Sequence, residues 1–151
     1  MPDLLRMVQI VLRHPIHIPL VHFPIALSYF AVLLAALSLF LFWRKRPEQG
    51  NLFGTILLYD LALLTLSVLP AMATGILENQ TRYNGLAPNA ALKIACGSAL
   101  LLIAAVLTLW RWRRPAVMQS RGRILMLALC VACAALTTTL GFLGGIIVWG
   151  A

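Results

Sequence analysis

The sequence predicts an all-α membrane protein, a four-transmembrane-helix up-down bundle preceded by a short amphipathic interfacial helix. Three observations predict it. The 151 residues are 62% hydrophobic and only 11% charged, where a soluble domain carries about a quarter charged side chains. Four apolar stretches are long enough to cross a bilayer. The basic residues, which set a formal net charge of +8, crowd into two short links between those stretches. The same composition is too apolar for a disordered tail, and three cysteines are too few for a disulfide scaffold. It also excludes nucleic acid as a partner, which asks for a basic face on a soluble fold with aromatics interleaved. The solvent these side chains fit is the lipid bilayer.

A membrane helix needs about 20 mainly apolar residues, because it rises ~1.5 Å per residue across ~30 Å of hydrocarbon. Residues 19–43, 52–77, 90–110 and 124–149 meet that length. None alternates in the manner of a barrel strand, so the spans are helices. The first link holds Arg44, Lys45 and Arg46; the third holds Arg111, Arg113, Arg114, Arg121 and Arg123. The middle link has only Arg82, with Lys93 just inside the next span. This asymmetry places the first and third links in the cytoplasm and both termini on the outer side of the membrane. Trp43, Trp110, Trp112 and Trp149 fall at span ends, as interfacial anchors do. Ala71 with Gly75 and Gly141 with Gly145 offer small faces for close helix approach. Residues 19–151 therefore read as one transmembrane domain. Residues 1–18, too short to span and without a cleavage site, read as an interfacial amphipathic segment.

The three histidines fall together in His14-Pro15-Ile16-His17-Ile18-Pro19-Leu20-Val21-His22. The prolines break regular helix before Pro19, which suits the first turn of span one. His14 lies outermost and reads as an interfacial anchor. His17 and His22 are open to two readings, as polar anchors or as metal ligands, because imidazole is the commonest metal ligand. Asp60 lies about 12 Å into span two at ~1.5 Å per residue, level with Ser38 and with Cys130 or Cys133. It reads either as hydrogen-bonded polar glue or as part of a proton relay. Cys130 and Cys133, inside span four, read as packing residues, since a redox pair needs an exposed thiolate.

Residues 14–27, HPIHIPLVHFPIAL, resemble the signature of a bacterial four-helix integral membrane family, domain-of-unknown-function family twenty-two thirty-one. Ala73-Thr74-Gly75 and the glycines Gly141, Gly144 and Gly145 agree with it in order along the chain. The resemblance implies redox work at the outer face, since some relatives are fused to or encoded beside Rieske-type or cytochrome c proteins. Haem b or quinone is the implied ligand, contacted by His17 and His22. Relatives often carry a further histidine at the start of the third helix; here that region reads Asn89-Ala-Ala-Leu-Lys93. The topology gathers Glu78, Arg82, Tyr83 and Lys93 at the same outer end. There Glu78 or Tyr83 can relay a proton, and Arg82 and Lys93 can hold a carboxylate or propionate.

Two functions are carried forward: an auxiliary redox component of an electron-transfer complex, and a cofactor-free structural or assembly subunit of a larger membrane complex. Soluble-enzyme motifs are absent from the sequence. The orientation has a direct test with a membrane-impermeant maleimide on intact cells or spheroplasts. Asn84→Cys is expected to label from outside, and Gln119→Cys only after the membrane is opened. The reverse pattern would overturn the placement of every outer-face residue.

Overall fold

The computed structural model describes residues 17–149, and the side chains of residues 19–145. Helix α1 runs His17–Trp43. Helix α2 runs Pro47–Tyr83, α3 Ala90–Arg113 and α4 Gly122–Trp149, with a short 3-10 segment Pro115–Gln119 joining the last two. All four helices are long and apolar enough to cross a membrane. Of the interfacial segment expected over 1–18, residues 1–16 with His14 lie outside the described residues, and His17 and Ile18 already belong to α1. Pro19 lies two residues after His17 in α1.

Helix α2 extends well beyond the apolar stretch at both ends. Pro47 opens it, where a fixed φ suits the first turn, and Glu48 faces the positive end of the helix dipole. Its far end stops where Asn84 and Gly85 turn left-handed, at φ 49° and 81°. The Gly85 N–H donates to the Asn79 carbonyl at 2.9 Å, and the Ala87 N–H to the Asn79 side-chain oxygen at 3.0 Å. Asn79 thus organises the turn into α3. Hydropathy is blind to both extensions because their residues are polar.

Among the described residues each helix packs on its two neighbours in the ring α1–α2–α3–α4, with α4 closing back on α1. Each helix presents a buried stripe at three- and four-residue spacing. The stripes are Ala31, Leu34 and Ala35 on α1; Leu57, Leu61 and Leu64 on α2; Leu100, Ala104 and Leu107 on α3; Met126, Cys130 and Cys133 on α4. No more than a third of any span is buried within the chain. Among the described residues the outer surface is rich in exposed Phe, Leu, Ile and Val. Lipid is the solvent that such a surface requires.

Polar side chains continue the same inward stripes and tie the helices together. Ser28 of α1 and Thr137 of α4 share a buried hydrogen bond of 2.7 Å. Ser38 donates to the Gly50 carbonyl across the α1–α2 turn at 2.7 Å. Thr65 and Thr108 join α2 to α3 at 3.3 Å. Arg111, counted with the cytoplasmic link from sequence, instead ends α3 with its side chain turned into the bundle, only 5% exposed. Its Nε donates to the Gly54 carbonyl at 3.1 Å and its Nη1 to the Pro115 carbonyl at 2.8 Å. That clamp fixes the 3-10 segment against α2.

The close approach it needs is made by glycine. A Cβ on Gly54 would stand 3.0 Å from Met118 Cγ and 3.3 Å from the Arg111 guanidinium. Gly50 is tighter still, with the Phe42 ring 2.8 Å from any added Cβ. The small face expected at Gly141 and Gly145 is looser. Among the described residues an added Cβ meets Ile25 at Gly141, and nothing within 4 Å at Gly145.

Candidate functional site

The hydrogen bond from Ser38 to Gly50 sets the register of α1 against α2. Counted along both helices from that bond, His22 stands level with about Leu66. It is exposed, beside an exposed Phe23, on the half of α1 remote from the basic links. His17 is the first described residue of the same helix. The two positions are therefore ~7.5 Å apart along one axis and ~140° apart around it, at 3.6 residues per turn.

Glu78, Arg82, Tyr83 and Lys93 form a separate group. Met72 packs over Gly97, which places Lys93, one turn earlier in α3, level with about Ile76 of α2. Glu78, Arg82 and Tyr83 follow within two turns. Arg82 Nε meets Glu78 Oε1 at 3.2 Å, a partly exposed pair one turn apart. Register puts this hairpin tip ~18 Å farther along the axis than His22, at ~1.5 Å per residue. The structure brings the four hairpin residues to one end of the bundle, with His22 on another helix and deeper.

Asp60 is the interior feature that sequence singled out, and its surroundings differ from those expected. Ten residues separate it from Gly50, so it stands level with Ser28, ten residues from Ser38 on the partner helix. Ser38 is therefore one long step nearer the basic end, occupied by the Gly50 carbonyl. Asp60 is 4% exposed, and neither carboxylate oxygen has a hydrogen-bond partner among the described residues. Both Cys130 and Cys133 are fully buried in the packed stripe of α4. Among the described residues no three His, Cys, Asp or Glu side chains come together in a way that could hold a metal ion.

Sequence reasoning missed the interhelical polar pairs. Ser28, Thr137 and Gly54 carry no signal on their own, since what matters is the partner on another helix. Arg111 offered one: it stands four residues after Leu107, on the stripe of Leu100 and Ala104, and so faces inward.

A ring of four apolar helices, lipid-facing outside and polar-clamped inside, defines a multi-pass membrane protein. The family described as "Predicted membrane protein (DUF2231)" matches residues 13–151, and the chain belongs to that family. No curated protein and no solved structure matches it.

Asp60 yields a test of whether its carboxylate is bonded within the fold. An amide has the same shape, so Asp60→Asn is expected to leave the unfolding midpoint in detergent unchanged or raised. A loss above ~1 kcal/mol, the worth of a typical buried hydrogen bond, would show that the acid has a partner it needs.

Proposed function

We propose that this protein is an auxiliary component of an electron-transfer complex in a bacterial inner membrane. It contacts haem or quinone at its outer face, and both termini lie on that side. The observation that carries the reading is the placement of His22, exposed on the surface of α1 at the end remote from the basic links. A titratable, metal-binding side chain on the flank of a membrane helix is placed to meet a group held by a neighbour.

Haem b bound between His17 and His22 of one chain does not fit this geometry. Axial ligands approach iron from opposite faces, each within about 2 Å by analogy with other metal–imidazole bonds. Two positions on one unbroken helix do not close around a ring. The space between the helices is filled as well, by Leu57, Leu61, Leu64, Leu100 and Leu107. The contact is therefore at the surface, with a haem or quinone that the partner carries. A Rieske-type or cytochrome c protein is the partner class that the family resemblance favours. In this reading Arg82 and Lys93, too far along the axis to touch the group that His22 meets, offer positive charge to a carboxylate of the partner at the hairpin tip. Tyr83 and Glu78 supply proton-exchanging groups beside them.

A second reading is favoured by the same filled interior and by the exposed aromatics Phe23, Tyr29, Phe30 and Phe40 on α1. It makes the chain a cofactor-free assembly subunit whose α1 face seats a larger membrane protein.

The readings part at His22→Gln. Glutamine keeps a polar contact but neither binds haem iron well nor titrates near neutrality. The variant is expected to insert and fold normally. Quinol-driven cytochrome c reduction in its membranes is expected to fall to the rate of membranes lacking the protein. His14→Gln is expected to be mild. Equal, small effects at both positions would leave the histidines as anchors and overturn the redox reading.

A further inference from the structure

At the basic end of the bundle, a groove of about 420 Å³ runs between α1 and α4, walled by Ala36, Leu39, Phe40, Trp43, Arg123 and Leu127. Five of its six walls are apolar. It reaches from Trp43, which is 74% exposed, to Ala36, about 10 Å deeper at ~1.5 Å per residue. An exposed indole at a span end sits at headgroup level in a membrane. The groove is thus a slot with its mouth at the interface and its length in hydrocarbon.

The charge at the mouth has no acidic partner among the described residues. The Arg123 guanidinium lies 5.5 Å from the centre of the Phe42 ring, and its Nε is buried without a hydrogen-bond partner among the described residues. Arg44 stands 5.9 Å over the ring of Phe40, which lines the groove. The two links at this end carry Arg44, Lys45, Arg46, Arg113, Arg114 and Arg121 beside Arg123, against the acid Glu48 at the start of α2. Arg123 lines the groove, and phosphate oxygens fit the planar fork of a guanidinium. Basic pockets between membrane helices are where anionic headgroups bind.

We infer that this groove binds one anionic glycerophospholipid. Its phosphate lies against Arg123 and Arg44, and one acyl chain lies along Leu39, Ala36 and Leu127. The site is independent of the histidines and of the redox reading. A second groove of about 390 Å³ at the same end, lined by Trp110, Arg114 and Val117, supplies the control. Arg114 is exposed and carries the same charge without a buried, unanswered N–H.

The test is native mass spectrometry of the full chain in mild detergent, titrated with phosphatidylglycerol or with phosphatidylcholine. One phosphatidylglycerol per chain is expected to stay bound and phosphatidylcholine to wash off. Arg123→Gln is expected to weaken retention by about tenfold, as loss of a charge-assisted bidentate contact would. Arg114→Gln is expected to change it by less than about twofold, as befits one exposed charge. Leu39→Trp fills the slot with the charge intact and is expected to abolish retention, so the inference stays testable if Arg123→Gln misfolds. Excess glycerol 3-phosphate is expected not to displace the lipid. Equal losses at Arg123 and Arg114, equal retention of phosphatidylcholine, or displacement by glycerol 3-phosphate would each overturn the site.

Discussion

A backbone in hydrocarbon has no water to bond, and the rest of this molecule follows from that constraint. Each crossing segment must satisfy its own N–H and C=O groups, so it becomes a helix. Polar side chains on those helices then face the same cost and turn toward one another. Ser28 finds Thr137, Ser38 finds the Gly50 carbonyl, and Arg111 reaches the carbonyls of Gly54 and Pro115. Apolar packing does not distinguish helix from lipid, since the tails are as apolar as leucine. The polar pairs do make that distinction, and they set register.

The glycines show how register and steric fit are linked. The Arg111 clamp closes only because Gly54 lets the guanidinium and Met118 come in against the α2 backbone. Gly50 does the same for Phe42 beside the α1–α2 turn, where its carbonyl also takes the Ser38 hydroxyl. Both lie in the first turns of α2, at the basic end. The ends of the molecule are therefore unlike. One is tightly clamped and crowded with arginine, and the other is a helical hairpin whose tip carries Glu78, Arg82, Tyr83 and Lys93.

The spans were legible because hydropathy and length are direct consequences of bilayer thickness. Four helices over 19–43, 52–77, 90–110 and 124–149 sit inside the helices observed. The excess length of α2 was not legible. Its first and last turns are polar, and capping by Asn84 and Gly85 leaves no trace in an apolar count. The candidate site was half legible: grouping the hairpin residues required only the topology, and the structure gathers them. The depth of His22 relative to that tip depends on the α1–α2 register, which one hydroxyl sets. The same register moved Asp60 away from Ser38 to the level of Ser28.

The central claim is that α4 closes the ring on α1 through the Ser28–Thr137 contact. Disulfide formation measures it directly, in a background with Cys96, Cys130 and Cys133 replaced by alanine. Ser28→Cys with Thr137→Cys, whose hydroxyls stand 2.7 Å apart, should form an intramolecular bridge in native membranes on iodine oxidation. Ser28→Cys with Thr108→Cys, which reaches across to α3, should not. A bridge to position 108 as efficient as that to 137, or dimers in place of the intramolecular product, would contradict the closed ring.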